Sequence, residues 1–323
     1  MGITVLIYCT IEWITAMDRF DTMLAFTRVV ELASFTKAAL SLNLPKTTIS
    51  AQVVALERRL NVKLLNRSTR HVSVTTDGAA YYERAVRLLN ELEDTESSVR
   101  QFTTKPKGRL RIDLPASLGR RIVMPAIREF FERYPEIELE IGCSDRPVDL
   151  LQEGVDCVIR GGDLVDQSMV ARRIGSIKLV TCATPDYLEK SGKPLVPEDI
   201  DRHVTINYLS SKTGKIYKFD FTKDGSTSIV IGKRSIAIND SEACLEAGLT
   251  GVGIMQTPTF MVQDKIASGQ LEIVLGEYLS EDVPLFVMYP QNRHLSSKVR
   301  AFVDWVAELF ANSDLLQAKS TLR

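Results

Sequence analysis

The 323-residue sequence predicts a two-part α+β chain: a small N-terminal winged helix-turn-helix with a long helix behind it, then a C-terminal α/β domain. Three observations predict it. Between Ser34 and Thr75, two short helical patterns meet at a tight turn and lead into two short apolar strands. From Thr75 a helical pattern runs on to a Pro/Gly break at Lys105-Pro106-Lys107-Gly108. Beyond Leu110, apolar strand candidates alternate with amphipathic helical runs. The length, near twice a typical domain of ~150 residues, fits two domains.

Residues 1–16 are apolar and match nothing downstream. They lack the basic start of a signal peptide, contain Glu12, and are too short to span a bilayer. They read as an extension upstream of a functional start at Met17, with an N-terminal anchor as the alternative. The first helix follows and should bury Met23, Phe26, Val29 and Val30. Ser34 is a suitable N-cap for the second helix, because its hydroxyl can accept from a free N–H of the first turn. Asn43 tolerates the left-handed conformation the turn requires, and Pro45 suits the start of a third helix. In that helix Ile49, Val53, Leu56 and Leu60 form one apolar stripe, while Lys46, Thr47, Thr48, Ser50 and Gln52 fall off it. Asn61 supplies a second left-handed stop. Val62, Leu64 and Leu65, then Val72 and Val74, read as wing strands around a tip at Asn66–Arg70. Thr75 should cap the long helix, along which Tyr82, Ala85, Leu89, Leu92, Glu96 and Val99 recur at the spacing of a helix-pairing seam.

Charge narrows the role of the first part. From Lys37 to Arg70 there are seven basic residues and one acid, Glu57, in a chain of net charge −1. A basic patch of this kind on an otherwise acidic chain suits a nucleic-acid surface, and the first turns of a second helix-turn-helix helix are the part that enters a major groove. Arg67 and Arg70 at the wing would anchor phosphates, leaving sequence to be read from the helix. The bland alternative is a solvated basic face.

At these residues the run FTRVVELASFTKAALSLNLPKTTISAQVVALERRLNVKLLNRSTRHVSVTTDGAAYY resembles the DNA-binding domain of LysR-type transcriptional regulators, nearly continuously and without gaps. Two positions depart from the family: Ala51 where many members carry a long polar side chain, and Pro45 where many carry a Ser cap. The resemblance continues through DRPVDLLQEGVDCVIRGGDLVDQSMVARRIG and NDSEACLEAGLTGVGIMQTPTFMV. It implies an effector domain like periplasmic binding proteins, with subdomain I at 108–180 and 283–310, subdomain II at 181–282 and a tail at 311–323. Residues 17–75 would be the DNA-binding domain and 76–107 the linker. It further implies double-stranded DNA and a small-molecule effector as partners and a homodimer through the linker helix. Tetramers and contact with RNA polymerase belong to the same implication.

From Leu110, LRIDL, IELEI, VDCVI, KLVTC, VTINYL, RSIAI and VPLFVMY read as strands of mostly parallel sheets. Residues 122–133, 148–152, 241–249 and 297–310 read as helices. In open α/β sheets, ligands sit beyond the carboxyl ends of strands, near helix N-termini. The first such point is Leu114–Gly119, where the Ser117 hydroxyl and the N–H groups around Leu118 could hold an anion. Arg160 follows another strand and could neutralise an acid, and Ser144, Asn207, Asn239 and Thr257 lie at further strand ends. Each has a plainer reading: Ser117 as a cap, Arg160 paired with Asp156 or Asp163, Asn239 fixing a turn. The family suggests a small carboxylate or aromatic acid as effector, with Arg160 the residue that leans toward it.

Other functions find less support. Five cysteines without a C-x-x-C point to free thiols in a reducing, cytoplasmic setting, and three isolated histidines give no metal-ligand spacing. No G-x-G-x-x-G, P-loop or G-x-S-x-G occurs, so neither an enzyme nor a cofactor protein is expected. Cys157 and Cys182 lie in apolar strands and read as core. A solute-binding protein is the alternative, as is an α/β enzyme; both leave the basic N-terminal domain unexplained.

Overall fold

The computed structural model describes residues 18–67, 72–99, 105–162, 169–232, 234–291 and 295–317. It falls into two compact units, one ending at residue 100 and the other beginning at residue 101. Residues 1–16, Arg70 and most of the expected wing tip lie outside the described residues.

In the first unit, α1 (Arg19–Leu32) is capped by Asp18, α2 (Phe35–Ser41) by Ser34, whose hydroxyl accepts from Lys37 N at 3.3 Å, and α3 (Lys46–Leu60) begins directly after Pro45. Asn43 and Asn61 take the left-handed conformation at φ 52° and 54°, as their chemistry suggests, and Ala33 does so unexpectedly at φ 47°. Ala25, Phe26, Val29, Ala38, Ile49, Val53 and Leu56 close the core, where the small Ala38 and Ala39 let α3 approach. Met23 and Val30 are only half-buried. Leu60, expected on the buried stripe, is 38% exposed, because the chain turns away at Asn61.

The wing strands β1 (Leu65–Arg67) and β2 (Val72–Val74) pair antiparallel, Leu65 opposite Val74. Val62 is not in the first strand as expected: its N–H closes the end of α3 on the Glu57 carbonyl at 3.2 Å. Asn66 and Arg67 belong to the strand and not to the tip. The lone acid of the basic stretch holds the wing root, since Glu57 Oε1 accepts from Leu64 N and Leu65 N at 2.9 and 3.0 Å. Thr75 then joins wing to helix. Its hydroxyl donates to Lys63 O at 2.8 Å and accepts from Gly78 N at 2.9 Å, starting α4 (Thr76–Val99). The expected seam is partly engaged within the unit. Ala85 is 1% exposed and Tyr82 packs on the domain core, while Leu88, off the seam, is 48% exposed.

The second unit holds two five-stranded sheets. Sheet I has the order β4 (Ile137–Cys143), β3 (Gly108–Leu114), β5 (Cys157–Gly161), β14 (Val283–Pro290), β6 (Met169–Ile177). Sheet II has the order β11 (Arg234–Ile238), β8 (Val204–Tyr208), β12 (Ile254–Pro258), β7 (Leu179–Ala183), β13 (Glu272–Ile273). The sheets are mixed, which corrects the expectation of mostly parallel ones. β3 pairs parallel with β4 and β5 and β8 pairs parallel with β11 and β12, but β14, β7 and β13 pair antiparallel with their neighbours. The reason is topological. The chain crosses from sheet I to sheet II at Lys178 and returns into β14, so the crossover strands run against the βαβ direction. The sequence reading missed β6, β12, β13 and the hairpin of β9 (Phe219–Lys223) and β10 (Ser226–Val230).

A helical run opens at Ala116–Leu118, passes through a π-helical turn at Gly119–Val123 and continues as α5 (Met124–Arg133). It packs with α10 (Ser297–Ala311) around Phe130, whose ring lies 5.0 Å from that of Trp305 and 5.9 Å from that of Phe302. A short α6 (Leu150–Glu153) precedes β5. In sheet II, α7 (Pro185–Ser191), α8 (Ser241–Leu249) and α9 (Thr259–Ala267) pack on the strands, and α11 (Asp314–Gln317) follows α10.

The buried His203 should make this unit acid-sensitive. His203 is 6% exposed and its Nδ1 lies 3.1 Å from Tyr187 Oη, which also accepts from Val204 N at 3.1 Å. A phenol proton donated to Nδ1 requires that nitrogen unprotonated, and hence a neutral ring. Burial lowers the His203 pKa below its ordinary 6.5, against a smaller opposing pull from Asp199. A depressed folded-state value means the unfolded chain takes up the proton first as pH falls. Stability from His203 should be present above pH ~6.5 and decline below it, levelling off under the folded-state value. Denaturant melts between pH 5 and 8 should show this slope, and His203→Gln should flatten it. An equal slope in both proteins would remove His203 as its source.

Candidate functional site

Two places bring functional chemistry together, one in each unit. In the first unit the opening turns of α3 stand clear of the core: Lys46, Thr47 and Ala51 are exposed and Thr48 and Ser50 half-exposed. Pro45 makes this possible. At φ −60° and ψ 141° it starts the helix from an extended residue, and its carbonyl accepts from Thr48 N and Ile49 N at 3.0 and 3.2 Å. Gln52, expected on this face, is instead 7% exposed among Ile49, Val53 and Leu56. Three residues along a helix is about 60° short of a full turn, so Gln52 shares the inward face with Val53. Of the basic residues, Lys37, Lys46, Arg58, Arg59 and Lys63 are exposed, and Arg59 also donates to Thr22 Oγ1 at 3.3 Å. Arg67 lies in β1, on the strand edge beside the tip.

In the second unit the strand-end residues take structural partners other than those the sequence suggested. Arg160 is not a free cation: it pairs with Asp113 at the end of β3 and donates to Arg146 O at 3.3 Å. The sequence reading named Asp156 or Asp163 as the partner; Asp163 lies outside the described residues. Asp113 is 6% exposed, and Gly142 opposite it in β4 makes room, since a Cβ there would come within 2.2 Å of the carboxylate. Burial pushes the Asp113 carboxyl up, with Arg160 and then Arg146 pulling against it. Leu118 is fully buried in the core, so only its backbone could meet a ligand. Asn207 is 1% exposed; it accepts from Thr205 Oγ1 at 2.8 Å and donates to Tyr217 O at 2.9 Å, holding the loop after β8. Thr257 is buried where β12 pairs with β7. Ser117 is 5% exposed at the start of the helical run, Ser144 is half-buried and Asn239 exposed.

Asp145 and the Arg121–Glu242 pair were missed. Asp145 follows β4 and links two helix starts: its carboxylate accepts from Ala116 N at 3.2 Å and from Ser241 N and Oγ at 3.3 Å. Beside it, Arg121 of the π-turn meets Glu242 of α8 in a two-point pair at 3.0 and 3.1 Å. The sequence signal for Asp145 was the strand end that singled out Ser144, one residue earlier. Nothing local marked Arg121 or Glu242.

Of the described cysteines, Cys143 is exposed, and its thiol is raised chiefly by burial. Cys157, Cys182 and Cys244 are buried, and burial raises all three, Cys182 and Cys244 to about 12. Among the described residues no cluster of ligands could hold a metal ion, and no helix is long and apolar enough to cross a membrane.

Comparison with known proteins decides the family. A model of the bacterial regulatory helix-turn-helix proteins of the lysR family matches residues 20–79, and a model of the LysR substrate binding domain matches residues 103–311. The chain belongs to the LysR-type transcriptional regulators. This regulator is 38% identical over 291 residues to the HTH-type transcriptional regulator YhjC of Escherichia coli, covering 90% of the chain and 97% of that protein. An HTH-type transcriptional repressor of Pseudomonas aeruginosa is 36% identical over 93% of the chain and 95% of its own length. Among solved structures, CrgA, a LysR-type transcriptional regulator from Neisseria meningitidis, matches with a TM-score of 0.57 at 29% identity, covering 90% of this chain and 99% of that one. The full-length Vibrio cholerae virulence activator AphB matches with a TM-score of 0.52 at 28% identity and the same coverage. The LysR-type regulator is thus a DNA-binding transcription regulator with an effector-binding domain, and not an enzyme. Like its bacterial relatives it acts on DNA in the cytoplasm.

Proposed function

We propose that this regulator reads its operator through Lys46, Thr47, Thr48 and Ser50, steadied by Arg67 and Arg70, and that a small molecule bound between the two sheets sets its output. The observation that carries the reading is the exposed opening face of α3, polar and basic, set against the buried side of the helix at Ile49, Gln52, Val53 and Leu56. Gln52 would act from beneath this face by packing, not as a base contact. The part of α4 beyond Ala85 would pair with a second copy, and two reading heads would recognise a pseudo-palindromic site. Tetramers and an RNA polymerase contact follow from the family alone. The effector would favour one arrangement of the subdomains over another, by its difference in affinity for the two.

Retention of genomic fragments by the purified chain tests the whole reading and identifies the operator. On that operator, Thr48→Arg should lower affinity by on the order of tenfold or more while leaving binding to random DNA at matched salt nearly unchanged. Equal losses on both DNAs would show that Thr48 does not read sequence.

A further inference from the structure

A cavity of about 200 Å³ lies between α7 and the end of α8, with Thr184, Asp186, Tyr187, Lys190, Leu249 and Gly251 in its lining. At its start α8 contacts Asp145 and Arg121, through Ser241 and Glu242; the cavity sits at the opposite end of the helix. Nine residues at 1.5 Å each put about 13 Å between the two ends. The cavity is therefore a place of its own. Pockets that take drug-sized ligands run to ~300–1,000 Å³, so this one suits a molecule of fewer atoms.

Its walls carry both signs of charge. Asp186 and Lys190 stand one turn apart on α7, and neither pairs with a described residue. Acid and base at this spacing on a helix commonly join each other; here both line the cavity unpaired. The buried Thr184 accepts from Tyr187 N at 3.4 Å through its hydroxyl, and among the described residues nothing accepts that hydroxyl's own hydrogen. Gly251 keeps it clear: the residue sits at φ 75°, and a Cβ there would stand 2.9 Å from Thr184 Oγ1. Tyr187 gives its own hydroxyl to His203 and Val204 N, which leaves its ring for the cavity. The end of α8 adds the partial negative charge of a helix C-terminus.

This balance selects the ligand. A lone anion drawn by Lys190 also meets Asp186 and the helix end, and a lone cation drawn by Asp186 meets Lys190. We propose that the cavity is a small-molecule site, distinct from the one between the sheets, for a small zwitterion of the amino-acid class. Its ammonium group donates to Asp186 and the end of α8, and its carboxylate accepts from Lys190 and the Thr184 hydroxyl. A short side chain packs on Leu249 and the Tyr187 ring. None of this rests on how the operator or the effector is read.

The test is to titrate the full-length protein with glycine, L-alanine, L-serine and L-threonine at constant ionic strength, following binding heat and melting temperature. At least one should bind saturably and raise the melting temperature. Sodium acetate and methylammonium chloride, each with half of the charge pattern, should bind at least about tenfold more weakly. Asp186→Asn and Lys190→Gln alter exposed side chains and should melt nearly as the wild type does. Each should weaken the amino acid by about tenfold or more, whereas Lys190→Arg, which keeps the charge, should stay within about threefold of the wild type. Saturable binding by none of the four amino acids would overturn the proposal. So would acetate or methylammonium binding as tightly as the amino acid, or full binding by either neutral variant, which would place the ligand elsewhere on the chain.

Discussion

Gly78→Ala should lower the melting temperature of the N-terminal unit by on the order of 10 °C and abolish operator retention, while the second unit melts as in the wild type. A Cβ at Gly78 would stand 2.1 Å from the Leu64 carbonyl oxygen, 2.9 Å from its carbon and 2.8 Å from Val74 Cγ2. Two of these three atoms are backbone, so no rotamer change can relieve the contact. Nor is Leu64 free to retreat. Its carbonyl accepts from Thr75 N at 3.0 Å and from Thr75 Oγ1 at 3.2 Å, and its N–H is held by Glu57 at 2.9 Å. Adding one methyl group must therefore loosen the wing root or the first turn of α4. Overpacking alone costs about 1–3 kcal/mol, and loss of the Thr75 bonds places this site at the upper end. A Gly78→Ala protein with unchanged melting and unchanged DNA retention would show that the junction yields without cost.

Arg121→Ala should destabilise the second unit by about 2 kcal/mol, whereas Arg120→Ala should cost under about 1 kcal/mol. The two arginines are neighbours in sequence and address the same carboxylate, but their settings differ. Arg121 is 24% exposed and grips the 14% exposed Glu242 at two points; Arg120 is 69% exposed and approaches no nearer than 3.8 Å. Removing the first leaves a largely buried carboxylate with a remote partner. The loss is less than the ~3–5 kcal/mol of a fully buried pair, because Glu242 lies in the first turn of α8 and keeps the favourable field of that helix end. A double-mutant cycle with Glu242→Gln, measured by urea unfolding, should assign most of the loss to the pair. Comparable losses for Arg120→Ala and Arg121→Ala would refute the assignment.

What the sequence revealed follows the range of the chemistry involved. Ser34, Asn43, Asn61 and Thr75 were legible because caps and left-handed turns are settled by residues within three or four positions. Gln52 was misplaced because polarity was read as orientation, while the helical angle sets it beside Val53. The antiparallel crossover strands could not be seen locally, since strand direction depends on where the chain re-enters a sheet. The strand ends were legible in the sequence, and the bonds made there were not. Arg160 meets an acid 47 residues away, Asp145 meets Ser241 at a distance of 96 and Arg121 meets Glu242 at 121. Which charge finds which donor over such separations is decided by the fold.

The separation of duties along α3 has a consequence for how such a protein can change over time. Ile49, Gln52, Val53 and Leu56 hold the helix in the core and Glu57 holds the wing, whereas Lys46, Thr47, Thr48 and Ser50 carry none of that packing. Substitutions on the outward face therefore leave the scaffold's stability nearly untouched, as surface changes away from caps and cores generally do. On the proposed reading of the operator, a duplicated copy of this chain can acquire a new genomic address through four side chains while keeping its fold.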